Sequence, residues 1–145
     1  MKAIELMLGD WVLTTKEDHM NEFAQIDAIE EGQTCILLRQ DNTNFFTDIS
    51  KIEPIPITKE ILEKNGFKVR EGCTTAWDWY NGEQCVHISG DHTCPIGQTL
   101  TIYVSAGCVG AAFSSYRVLN ELKVRGLHEF QHALRLCRIE KQIIL

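Results

Sequence analysis

The stretch Ile52-Glu53-Pro54-Ile55-Pro56-Ile57-Thr58-Lys59-Glu60-Ile61-Leu62-Glu63-Lys64-Asn65-Gly66-Phe67 divides the chain and decides its class. Pro54 and Pro56 hold the backbone extended, because the residue before a proline is pushed out of the helical region. Thr58 is a good helix N-cap, and Glu60 stands favourably at the positive end of the helix dipole. Ile61 and Leu62 supply apolar contacts. Gly66 suits the left-handed residue that closes a helix, and Phe67 then returns to the core. These signals predict a two-turn helix over 59–65.

Short strands are expected on both sides of that helix. Before it, residues 11–15 are rich in strand formers, residues 23–30 alternate in part, and residues 34–39 form a third candidate. Asp41-Asn42-Thr43-Asn44 supplies a turn into Phe45-Phe46-Thr47. Four strands in so few residues suggest a small, curled antiparallel sheet over about 1–52, barrel-like and SH3-like. After the helix, Ala76–Tyr80 and Gln84–Ser89 flank the hairpin signal Asn81-Gly82. Leu100–Val104 alternates, and 109–118 is the next candidate strand. Leu127, Phe130, Leu134 and Cys137 recur at helical spacing and mark a last helix over about 127–141, with His128, His132 and Arg135 on the opposite side. The expected fold is α+β: a β lobe over 1–57, then a lobe over 58–145 with a second antiparallel sheet from about 67–125 carrying the last helix. One compact unit is the alternative.

Composition sets limits on function. The chain has 145 residues, 44% hydrophobic and 23% charged, in the ordinary range for a globular domain. Net charge is −6, unevenly spread: residues 1–116 hold 8 basic and 17 acidic groups, and residues 117–145 hold 6 basic and 3 acidic. A polyanion would meet repulsion everywhere except the C-terminal segment. Glu5 and Asp10 interrupt the first apolar run, which is too short for a secretory signal. No stretch approaches the ~20 apolar residues of a spanning helix. A cytoplasmic protein with no membrane partner is expected. The six cysteines, at 35, 73, 85, 94, 108 and 137, then read as buried free thiols, and no Cys-x-x-Cys pair occurs.

His128-Glu129-Phe130-Gln131-His132 matches H-E-x-x-H. On a helix both histidines point the same way and can bind zinc, with Glu129 as general base on a metal-bound water. A catalytic zinc needs a third protein ligand. The metzincin continuation would place Gly at 135 and His at 138, and both are arginine here. Glu140 is the sole downstream carboxylate and lies on the same helix, rotated away. A second set, Cys85-x-His87 and His92-x-Cys94, is symmetric about Ser89-Gly90. With that dipeptide as a tight turn, Cys85 would face Cys94 and His87 would face His92, a donor set suited to structural zinc. Ordinary thiols and surface histidines are the competing reading. Trp77 and Trp79 share a strand face and could stack a base or sugar, though such aromatics usually serve the core. Gly107-Cys108-Val109-Gly110-Ala111 lacks the Lys-Ser/Thr ending of a phosphate loop.

Three motifs occur in a fixed order: Glu5-Leu6-x-x-Gly9-Asp10-Trp11-Val12; Glu53-Pro54-Ile55-Pro56-Ile57-Thr58 with Glu60-x-Leu62-x-x-x-Gly66-Phe67; and Leu127-His128-Glu129-Phe130-Gln131-His132. Together they resemble a family of small proteins in Bacteroides-type genomes, frequently carried on prophages and other mobile elements. Those proteins typically open with E-L-R-I-G-N-W-V, continue with E-P-I-P-L-T-x-E-x-L-x-x-x-G-F, and finish with V-H-Q-L-Q-N-L-Y-F-A-L-T-G-E-E-L. The resemblance carries no activity. It implies that His128 and Gln131 are the matching positions, with Gln expected at Glu129 and Asn at His132. It points away from a peptidase and toward a non-enzymatic accessory protein with a protein partner and no cofactor. Zinc binding, and nucleic-acid binding through the basic C-terminal segment, are the alternatives.

Overall fold

A computed structural model of the chain describes residues 6–15, 22–30, 34–72, 75–80, 84–90, 100–106 and 117–145. The chain divides into two compact units, Met1–Ile55 and Pro56–Leu145. Each carries a five-stranded antiparallel sheet, and the second adds two helices, so the protein is α+β.

The first unit contains β1 (Trp11–Thr14), β2 (Glu22–Ile29), β3 (Thr34–Leu38), β4 (Asn44–Asp48) and β5 (Ile52–Glu53), in the order β4-β3-β2-β1-β5. Alternation sends Val12, Ala24, Ile26, Cys35 and Leu37 inward, where they pack with Leu6, Ile49 and Ile52. Burying each of the larger side chains contributes about 1.5–3 kcal/mol. Gly9 takes a left-handed φ of 79° in a turn closed by the bond from Asp10 N–H to the Met7 carbonyl. Asp48 accepts from Ser50 N–H and caps the 3-10 turn Ile49–Lys51, which leads the chain back to β5. The sheet is open, contrary to the barrel-like closure expected above. The reason is length: β5 has two residues, both taken up in pairing with β1, and β4 is left as the other edge.

The second unit opens with α1 (Lys59–Lys64), as the sequence predicts. Thr58 Oγ1 accepts from Ile61 N–H at its start. At its end Gly66, at φ 77°, and Phe67 send their N–H groups back to Glu63 and Leu62. The sheet follows: β6 (Lys68–Val69), β7 (Ala76–Tyr80), β8 (Gln84–Gly90), β9 (Leu100–Ala106) and β10 (Arg117–Val124), in simple sequential order. The strand expected at 109–118 overlaps β10 only at 117–118, and residues 109–116 lie outside the described residues. Asn81-Gly82 also lies outside them. β8 runs straight through Ser89 and Gly90, which pair with Thr101 and Leu100, so no turn forms there.

α2 covers Leu127–Leu136 and stops well short of residue 141. Arg138 adopts φ 56°, its N–H bonds Arg135 O, and Ile139 N–H bonds Leu134 O. This closure repeats that of α1, with arginine where glycine is usual. The chain then doubles back, burying Ile139 and Ile143. Asn65 grips this tail. Its Nδ2 donates to Ile61 O and Ile144 O, both at 2.8 Å, and its Oδ1 accepts from Ile144 N–H at 2.9 Å. Phe67 is the centre of the packing, with ring centroids 5.7 Å from Phe130 and 6.3 Å from Trp79. No helix among the described residues is long and apolar enough to cross a membrane.

Candidate functional site

Leu127, Phe130 and Leu134 of α2 are buried as the helical stripe predicts, but the face opposite them is not uniformly in solvent. His128 is 5% exposed and Gln131 7%, so both are buried; His132 is half-buried and Arg135 exposed. The buried arc of α2 covers roughly two thirds of its circumference at 100° per residue, because the returning tail adds a second packing surface beside β10. His128 therefore belongs to the interior, not to the solvent face opposite Leu127. Its ring stands edge-to-face with His132 at a centroid distance of 6.0 Å. Glu129 Oε2 accepts from Arg125 N–H at 2.6 Å. That bond gives α2 a reach-back cap in place of the side-chain cap that its N-cap residue, Gly126, cannot supply. The carboxylate suggested as a general base thus serves the start of the helix.

The Cys/His hairpin is not formed. Cys85 pairs in register with Tyr80 and Ser105, and His87 with Asp78 and Tyr103. His92 and Cys94 lie outside the described residues. Among the described residues no group of three or more His, Cys, Asp or Glu is placed to hold a metal ion. Cys35 and Cys85 are buried and Cys137 is half-buried. Burial, helped by the nearby Asp48 charge, pushes the Cys35 thiol up to about 11, and its Sγ lies 3.7 Å from the Thr47 carbonyl.

A cluster that the motifs did not reveal sits across β7 and β8. Arg70 donates from Nε and Nη2 to the two oxygens of Asp78, at 3.0 and 2.6 Å. His87 Nδ1 lies 2.7 Å from Asp78 Oδ1 and, with the aspartate ionised, is the donor. Burial works to raise the Asp78 carboxyl. The hydrogen bonds from His87 and Arg70, with both neighbouring charges, outweigh it and hold it at about 2. His87 is 8% exposed. The cluster ties the segment after β6 to β7 and β8 near the edge of the sheet. Only the pairing of Asp78 with His87 brings these groups together, and that depends on the loop between the strands.

Trp77 is fully buried, and Trp79 packs against Phe67 and lies beneath the Lys141 ammonium, 4.9 Å from its ring centroid. The pair therefore belongs to the core of the second unit, and the stacking role suggested for it falls away for Trp77. Tyr80, at the end of β7, is 45% exposed, and two phenylalanines of the first unit are exposed as well. Phe46 of β4 is 61% exposed and Phe23 of β2 is 40% exposed. Register places Phe46 beside the half-buried Ile36. A shallow cleft lined by Glu22, Phe23, Arg39, Gln40 and Asp41 adjoins Phe23. Within it Arg39 pairs with Glu22 at 2.9 Å and lies over the Phe45 ring at 4.4 Å. Comparison with family models, with curated proteins and with solved structures gives no match.

Proposed function

We propose that the chain is a non-enzymatic accessory protein that works by binding another protein through the outer face of its first sheet. The observation that carries this reading is the exposure of Phe46 and Phe23 on that face. Aromatic side chains are enriched in protein–protein interfaces relative to the rest of the surface. The prominent polar groups of the second unit are engaged internally: Glu129 caps α2, and Asp78 is held by Arg70 and His87. The three ordered motifs support a prophage or mobile-element origin of Bacteroides type. The strand order β4-β3-β2-β1-β5, with a 3-10 turn before a short last strand, supports an SH3-like relationship for the first unit. The buried thiol of Cys35 supports a cytoplasmic setting.

Photo-cross-linking in the producing cells tests the reading. A photoreactive phenylalanine analogue is placed at Phe46 and, separately, at Glu60, which is exposed on α1. A discrete covalent adduct is expected from position 46 and none from position 60. No adduct, or the same ladder from both positions, would overturn it.

A further inference from the structure

Four strands stand at sheet edges, and three of them are guarded. β5 and β6 have two residues each, and β10 carries Arg117, Glu121 and Lys123. Short length and charge are the usual means of preventing an edge from recruiting another strand. β4 is the least guarded, its one charged residue being Asp48 at its end. It has five residues, no strand pairs with its outer side among the described residues, and its middle outward residue is Phe46.

The surroundings of Phe46 specify what could be recruited. Met1–Ile55 holds 4 basic and 11 acidic residues, net −7, whereas Pro56–Leu145 holds 10 and 9, net +1. All the excess negative charge of the protein thus lies in the first unit. Asp48 flanks Phe46 on β4, Asp41 lies in the preceding turn, and Asp27 accepts from Asn44 Nδ2 at 3.2 Å. Hydrogen bonds from Thr43 hold Asp41 below the ordinary carboxylate range, and those from Ser50 do the same for Asp48. One arginine of this unit, Arg39, is already paired with Glu22. A second copy of the same edge would bring net −7 against net −7 and be repelled. A nucleic acid would be repelled for the same reason.

We infer that β4 accepts an extended, basic segment of a partner protein as a sixth antiparallel or parallel strand. An apolar side chain of that segment rests on Phe46 and Ile36, and Lys or Arg two residues to either side meet the carboxylates beside Asn44 and Asp48. Main-chain pairing supplies affinity, and the alternating side chains supply specificity. Charge steers the encounter and makes it sensitive to salt. The inference rests on the function proposed above and names the class of partner.

The probe is a fluorescein-labelled nonapeptide, Lys-Thr-Val-Thr-Lys-Thr-Val-Thr-Lys, and the control replaces each Lys with Glu. Anisotropy with the whole protein is expected to show the basic peptide binding at least about tenfold tighter, and losing most of that binding between about 50 and 300 mM salt. Amide exchange should slow at residues 44–48. Phe46→Ser should abolish binding. The pair D41N and D48N, which keeps side-chain shape, should weaken it several-fold at a temperature where circular dichroism shows the variant still folded. Equal binding of both peptides, salt-insensitive binding, protection confined to other strands, or concentration-dependent dimerisation abolished by Phe46→Ser would overturn it. If position 46 cross-links a cellular protein while the basic peptide does not bind, the strand inference fails and the interaction reading stands. If neither occurs, both fail.

Discussion

Replacing Asn65 with alanine is the sharpest test of how the second unit is closed. The side chain is 5% exposed and makes three hydrogen bonds, one to Ile61 O and two to the backbone of Ile144. A typical intramolecular hydrogen bond contributes a net ~1 kcal/mol, and buried partners left unsatisfied cost more. Asn65→Ala should therefore destabilise the unit by about 2–3 kcal/mol. For a domain of this size that is a fall in Tm of about 10–20 °C. Trp77 and Trp79 lie in the second unit and Trp11 in the first, so in a Trp11→Phe background tryptophan fluorescence reports the melting of the second unit. The same substitution in a chain lacking residues 144 and 145 loses only the Ile61 bond, and should cost about 1 kcal/mol. The two changes must be non-additive, and the Ile144 amide should lose its protection from exchange. A Tm within about 3 °C of the parent, or full additivity of the two changes, would refute the clamp.

Arg138→Gly should stabilise the protein by about 0.5–1 kcal/mol, read as a rise in Tm, because glycine adopts the left-handed conformation without cost while Arg138→Ala should give no gain. Asp78 has a lower pKa folded than unfolded, so its contribution is present above the ordinary carboxylate range and is lost as pH falls from about 4 toward 2. With Asp78 partly exposed, the contribution is about 1–2 kcal/mol, and Asp78→Asn should flatten the stability profile in that window. His128→Ala should cost about 1–3 kcal/mol through lost packing and polar contacts, and an unchanged Tm would argue for a role in binding instead.

α1 was legible because all its signals are local: Thr58 caps it, Gly66 ends it, and Phe67 follows within one turn. The end of α2 was not, because its left-handed residue is arginine, which carries no terminator signal. The tertiary burial of Ile139 and Ile143 supplies what the local sequence lacks. Ser89-Gly90 looked like a turn from composition, but pairing with β9 overrides that preference. The Arg70–Asp78–His87 cluster depends on register. A two-residue Asn81-Gly82 turn would pair Tyr80 with residue 83, whereas Tyr80 pairs with Cys85. The burial of His128 was hidden for a similar reason: a single helix shows its own stripe, not the second surface laid against it. Phe46 was readable as a strand residue, yet adjacent phenylalanines at 45 and 46 do not say which faces water.

The bond between Asn65 and Ile144 joins positions 79 residues apart. The first unit needs nothing beyond residue 55. On a ribosome adding about 5–20 residues per second, the acidic β module can be complete and available to a partner for several seconds before the second unit receives the residues that fasten it. On the function proposed above, contact with the partner begins on the nascent chain, and the order of synthesis becomes part of that assembly.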